Sequence, residues 1–207
     1  MESLTQLFGG EAKIKLLRLF LFNKDGAFLL PEIVERTQCT LAIVKRESNS
    51  LLKAGFIKKK IVSKTIETKK GGVASARKVS GTGYALNEKF PYLEPLKNLL
   101  TVASVSADES FVRRFAGAGR IKLIVAAGVF IQNWDSRVDL LIVGDEINMA
   151  KVESVIKGIE AEVGKEISYS AFESSDFEYR LGIHDRLVRD ILDYPHITLL
   201  DRLNTGS

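Results

Sequence analysis

Lys45, Arg46, Asn49 and Lys53 recur at three- and four-residue steps, the spacing that gathers side chains on one face of a helix. Lysine and arginine hold phosphates, an arginine fork matches the acceptors of guanine, and an asparagine amide matches adenine. The helix that carries this set therefore suits an anionic, base-bearing partner. Lys58, Lys59, Lys60, Lys64, Lys69 and Lys70, then Arg77 and Lys78, extend the positive charge beyond it. Strand alternation sends neighbours to opposite faces, so these cations cannot all meet one partner at once. A second constellation lies further on: Gly128 after an apolar run, then Arg137 and Asp139 two residues apart. Residues so spaced share one face of a strand. Arg137 there would bind a phosphate or carboxylate by a forked contact, or pair with Asp139 or Asp135, which is the cheaper arrangement.

The elements that must position these residues are legible as patterns. Thr40 suits the cap of a helix through Lys53, its side-chain oxygen available to the first turn. Leu41, Val44, Leu51 and Leu52 form the inward stripe of that helix, and Gly55 stops it. Pro31 suits the first position of a preceding helix through Thr37, with Thr37-Gln38-Cys39-Thr40 as the break between the two. Upstream, Leu4 to Phe22 is helical around Gly9-Gly10, with Leu16, Leu17, Phe20 and Leu21 as an apolar face. Ala27 to Leu30 is a short strand. Downstream, Phe56 to Val62 starts a hairpin that turns at Gly71-Gly72 and returns from Arg77 to Leu86. Thr40 and Ser48 are further candidates for phosphate contacts.

A connecting helix follows from Tyr92 to Thr101, with Leu93, Leu96, Leu99 and Leu100 on one side, and the small polar stretch from Val102 to Asp108 holds the domain border. Beyond it strand and helix alternate. Ser110 to Gly117 is helical, Ile121 to Ala127 is apolar enough for a central strand, and Val138 to Val143 is a second strand. Asn148 to Val163 is amphipathic, with Met149, Val152, Val155, Ile156 and Ile159 inward. Glu166 to Phe172, Asp176 to Leu192 and His196 to Leu200 read as strand, helix and strand. Arg180, Asp185, Arg186, Arg189 and Asp190 fit intrahelical ion pairs. His184 and His196 read as structural or solvated and Cys39 as a small core residue, and Trp134 caps a pocket or packs on the surface.

Composition bounds the function. The chain has 207 residues, 45% of them apolar, enough for one or two real cores. Residues 1–90 hold 17 Lys and Arg against 8 Asp and Glu, a balance of +9, whereas 91–207 hold 13 against 18, a balance of −5. Basic charge confined to one half is the footprint of a phosphate-binding module joined to a non-binding one. No run of eighteen apolar residues exists, so no membrane span is expected. Met1-Glu2-Ser3-Leu4 has no basic segment leading into an apolar one, so no secretory signal is expected. One cysteine excludes an internal disulfide framework and suits the cytoplasm. Two histidines far apart make a zinc site unexpected, and no cofactor is called for.

The segment Leu29-Leu30-Pro31-Glu32-Ile33-Val34-Glu35-Arg36-Thr37, the helix Leu41 to Lys53, and Lys53-Ala54-Gly55-Phe56-Ile57-Lys58-Lys59 resemble the winged helix-turn-helix transcriptional regulators of bacteria and archaea. That resemblance implies double-stranded DNA as partner, a homodimer, and contacts from Thr40, Lys45, Arg46, Asn49, Lys53 and the hairpin cations. Winged helices also serve as protein-binding modules. The later pattern, Ala127-Gly128-Val129 followed by Arg137-Val138-Asp139 on a strand, resembles the nucleotidyltransferase fold of the DNA polymerase β superfamily. In that family a Gly-Ser pair holds the nucleotide, two carboxylates one residue apart hold metal ions, and a third comes from a later strand. Here Val129 stands for the Ser, Arg137 for the first acid, and Ile167 to Phe172 offers no carboxylate. The expectation is an α+β protein. A winged helix-turn-helix over 1–90 is joined through 91–107 to a nucleotidyltransferase-like domain over 108–207 that retains Gly128, Arg137 and Asp139 but not catalysis. It would regulate transcription, with the second domain serving dimerisation or the sensing of an effector. The rivals are a nucleotidyltransferase acting on RNA, protein or a small molecule, and an antitoxin-like protein that binds a partner protein.

Overall fold

Gly9 and Gly10, with φ of +76° and +145°, divide the first helical stretch into α1 (Glu2–Phe8) and α2 (Glu11–Phe22). The computed structural model describes residues 2–70, 73–102, 109–133 and 136–204. For 64–70 and 73–79, and for Glu2, Val102 and Glu109, it describes the backbone alone. Contacts divide the chain into two units, Met1–Leu100 with Ala161–Lys165, and Thr101–Glu160 with Glu166–Ser207. The architecture is mixed α+β, with several helices and two small sheets. Among the described residues no helix is long and apolar enough to cross a membrane.

In the first unit α2 is buried nearly all round. Ile14, Leu16, Leu17, Leu19, Phe20 and Leu21 are all inside, a wider face than the four residues its period suggests, as a central helix requires. Arg18 is only 1% exposed and donates to Leu100 O (3.2 Å) and Glu162 O (2.7 Å). Burial draws its pKa down, opposed by the charge of Glu162. A short strand β1 (Ala27–Phe28) leads into α3 (Leu30–Thr37), whose Glu32 carboxylate accepts from the Leu29 N–H at 2.7 Å. Gln38, at φ +53°, ends α3, and α4 (Leu41–Lys53) follows. Gly55 (φ +77°) then turns the chain into β2 (Ile57–Lys70), which pairs antiparallel with β3 (Val73–Leu86).

The sheet order is β1-β3-β2. At Gly83 a Cβ would lie 2.7 Å from Phe28 O and 2.6 Å from Val62 Cγ2, so only glycine lets β1 lie this close to β3. The core combines Phe20, Ile33, Val44, Leu51, Phe56, Ile57 and Leu86, with Cys39 packed at its margin. Helix α5 (Leu93–Val102) adds Leu93, Leu96 and Leu100. Leu99, expected on that side, is 42% exposed, because it lies off the 93/96/100 row.

The second unit begins with α6 (Glu109–Arg113), shorter than the expected span because turns carry the chain from Arg114 to Ala118. Its sheet runs β6-β5-β4-β7, from β4 (Arg120–Ala126), β5 (Leu140–Asp145), β6 (Tyr169–Glu173) and β7 (Ile197–Asp201). Strand β4 is antiparallel to β5 and β7, whereas β5 and β6 are parallel. Leu123 to Ala126 and Leu140 to Val143 are buried without a break, as central strands covered on both faces must be. Helix α7 (Met149–Val163) buries Val152, Ile156 and Ile159, but Met149 is 44% exposed at its first turn. The single helix expected over Asp176 to Leu192 is two, α8 (Ser174–Gly182) and α9 (Arg186–Leu192). His184 takes φ +56° at the break, and the Asp185 carboxylate caps α9 through the Leu187 and Val188 N–H groups.

Candidate nucleic-acid interface

Helix α4 buries Val44, Glu47, Ser48 and Leu51, positions separated by three, one and three residues. The opposite face carries Lys45, Arg46, Asn49 and Lys53, all exposed, so the structure gathers the four expected residues on one side. Thr40 occupies the cap position with extended backbone, and its carbonyl accepts the first helical bond from Val44 N at 2.9 Å. Its side chain makes no capping bond, contrary to expectation.

Two further expectations fail on this helix. Leu41 is 47% exposed, because the true stripe is centred on 47 and 51 and the first residue lies at its margin. Ser48 is fully buried, and its Oγ has no hydrogen-bond partner among the described residues. It therefore cannot reach a phosphate.

The buried Glu47 is satisfied by charge. Its Oε1 accepts from Arg46 Nε at 2.9 Å and its Oε2 meets Lys13 Nζ at 3.5 Å. Hydropathy gave no sign of this carboxylate. The Arg46 side chain remains 72% exposed and keeps its other N–H donors for a partner. Leu41, Ala42 and Ser50 are also exposed, and Leu41 and Ala42 give the cationic face an apolar end suited to a thymine methyl group.

Lys58, Lys59 and Lys60 are exposed on β2 between the buried Ile57 and Val62, next to Ile61, which is 82% exposed. Lys59 stands opposite Tyr84 and Lys60 opposite Gly83. Strand alternation turns Lys58 and Lys60 to one face and Lys59 to the other. Among the described residues none of Lys45, Lys53, Lys58, Lys59 and Lys60 has an ion-pair partner. The side chains of Lys64, Lys69, Lys70, Arg77 and Lys78 lie outside the described residues, as do the Gly71-Gly72 tip, Trp134 and Asp135.

The second constellation is built differently from expectation. Gly128 opens a short 3-10 turn (Gly128–Ile131) with φ +54°. A Cβ there would collide with Asp139 Oδ1. Asp139 is 5% exposed; its Oδ1 accepts from Val129 N at 2.8 Å and its Oδ2 from Ser168 N at 2.9 Å. Its own N–H donates to Ser168 O at 2.6 Å, and its carbonyl accepts from Ala127 N at 2.8 Å.

These ties hold Val138 and Asp139 in a connection ahead of β5, so Arg137 and Asp139 do not share a strand face. Arg137 pairs with Asp190, Nη1 to Oδ2 at 3.3 Å, and not with Asp139. Strand β6 starts at Tyr169 and ends on Glu173, whose carboxylate accepts from Glu146 N (3.1 Å) and Ile147 N (3.0 Å). Glu173 stands opposite Gly144, at the end of β5 away from Asp139.

The residues present therefore do not fit a pair of divalent cations. Both oxygens of Asp139 accept from backbone N–H groups. Among the described residues no three of His, Cys, Asp and Glu gather as metal ligands. No protein-family model matches the chain, and no curated protein or solved structure is significantly similar to it.

Proposed function

We propose that this protein is a sequence-specific regulator that binds double-stranded DNA through a winged helix-turn-helix first unit. Its second unit is nucleotidyltransferase-like in fold, does no catalysis, and serves dimerisation or ligand sensing. The observation that carries this reading is the exposed row of Lys45, Asn49 and Lys53 beside Arg46, without an ion-pair partner for either lysine among the described residues, followed five residues later by the exposed Lys58 to Lys60. An ordinary solvated helix would mix charge signs along such a face; here it is cationic with one amide. Helix α4 enters the major groove, where Arg46 reads guanine and Asn49 reads adenine. Lys45, Lys53 and the β2 lysines neutralise phosphates and set affinity and its salt dependence. The absence of catalysis is supported by the setting of Asp139, each of whose oxygens accepts from a backbone N–H, of Val129 and of Ser168.

Binding to a duplex selected from random sequence, compared with a scrambled duplex, tests the assignment. Arg46→Ala or Asn49→Ala should cost about 1–3 kcal/mol on the selected site and little on the scrambled one. Lys59→Ala should weaken both alike and flatten the salt dependence by roughly one unit of slope. Equal losses on both duplexes for all three variants, or no retention of any duplex at low salt, overturn the reading. Incubation with magnesium and labelled nucleoside triphosphates should give no transfer.

A further inference from the structure

Arg137 and Arg186 line a cleft of about 350 Å³ in the second unit, together with Asn133, Ser136, Asp190 and Tyr194. The volume lies in the range of small-ligand sites. One carboxylate oxygen serves both arginines: Asp190 Oδ2 is 3.3 Å from Arg137 Nη1 and 4.0 Å from Arg186 Nε. The second distance is an ion pair without a hydrogen bond. Two guanidiniums carry ten N–H donors between them, and Asp190 engages one. The side chains of Arg137 and Arg186 are 65% and 77% exposed, so the remaining donors are open to the cleft and to solvent.

A neighbouring hollow of about 440 Å³, lined by Arg180 and Arg189 among others, shows the contrast. There Arg180 is held by Asp176 (3.0 Å) and Asp185 (3.4 Å), and Arg189 by Asp193 (2.8 Å). Each guanidinium lining that hollow therefore has at least one carboxylate partner within 3.4 Å. In the Arg137 cleft, among the described residues, one carboxylate faces two guanidiniums, a positive excess at a concave surface. A single forked donor suits a carboxylate or a phosphate alike, but two guanidiniums side by side match the double charge and the several acceptor oxygens of a tetrahedral dianion.

We infer that the Arg137–Arg186 cleft is a binding site for a phosphate dianion, either free or as the end group of a small ester. Asp190 holds the two guanidiniums side by side while the cleft is empty. The dianion bridges them, and Tyr194, 63% exposed at the rim, offers a ring face to the organic part of an ester. No metal ion is needed, because the two arginines supply the countercharge. The inference stands on the second unit alone and does not rest on DNA binding.

Titration calorimetry on the full chain, in a phosphate-free buffer, with inorganic phosphate and with adenosine 5′-monophosphate as probes, tests it. Saturable binding is expected, and Arg137→Gln and Arg186→Gln should each weaken it by about tenfold or more. Asp190→Asn should tighten it several-fold, since it removes the internal competitor, whereas Lys59→Ala should leave it unchanged. Equal affinity for both probes identifies free phosphate as the ligand. Tighter binding of the nucleotide, with the surplus lost in Tyr194→Ala, identifies an ester. Three results would overturn the site: no saturation by either probe at about 10 mM, wild-type affinity in both arginine variants, or weaker binding in Asp190→Asn.

Discussion

Gly128 and Asp139 act as one lock, and what they hold is backbone. The carboxylate closes on Val129 N and Ser168 N, and it fits only because position 128 has no Cβ. Gly128→Ala adds a methyl group at φ +54° against that carboxylate, so it should cost about 2 kcal/mol or more of stability. Asp139→Ala strands the buried Val129 N–H and frees the part-buried Ser168 N–H, and should cost a similar amount, about 1–3 kcal/mol. Because both changes break one contact, the double variant should lose clearly less than the sum. Urea denaturation followed by circular dichroism measures all three, and strict additivity would refute the shared lock. The grouping of Gly128, Arg137 and Asp139 was legible as spacing, but the contacts they make were not. Asp139 closes on Ser168, twenty-nine residues away, and Arg137 turns to Asp190, fifty-three residues beyond it; no local pattern announces either.

For α4, the apolar period found Val44 and Leu51 because a periodicity of hydropathy sees apolar residues only. Glu47 and Ser48 lie in the same buried stripe and escaped it: Glu47 is neutralised by Lys13 on another helix and by Arg46, a tertiary fact. The exposed row was legible for the converse reason, since charge at helical spacing has nowhere else to go. The hairpin was legible through its glycine tip, but its outgoing strand was expected at Arg77 and begins at Val73. Ala74, Ser75 and Ala76 carry no alternation to reveal it. Among the described residues the hairpin meets the core at its base, through Ile57, Val62, Ala85 and Leu86. Strand β2 is also the free edge of its sheet, where lysines oppose unwanted strand pairing. Shortening the hairpin tests which of these roles the outer cations have. Joining Ser63 to Ser80, which stand opposite each other, through Asn-Gly should leave the melting temperature within a few degrees. It removes Lys64, Lys69, Lys70, Arg77 and Lys78, and the slope of log affinity against log salt should fall by roughly 1–3. An unchanged slope would assign those cations to solubility and edge protection alone.

At the level of the whole molecule, the split of charge, +9 in residues 1–90 and −5 in 91–207, keeps the two halves from competing for the same anion. On the proposed reading, the acidic half would repel a duplex and leave the basic half to bind it. The alternation of strand and helix made the mixed class of the second unit legible. Its parallel β5–β6 pairing was not, because pairing direction is decided by where α7 returns the chain. Specificity then sets the required number of copies. Helix α4 has 13 residues, about 20 Å of length, and such a helix reads about three or four base pairs. At roughly 1–3 kcal/mol per base pair, one copy discriminates too weakly against the excess of non-specific sites in a genome. Two copies on a two-fold axis double the free energy of recognition and require half-sites about 10 base pairs apart, centre to centre. Sedimentation of the full chain with its selected duplex should therefore give two chains per DNA. Hydroxyl-radical footprinting should show two protected patches one helical turn apart, related by inverted sequence. A single chain protecting one patch on a non-palindromic site would contradict the dimer, and would require the hairpin to supply the missing discrimination through contacts to base edges.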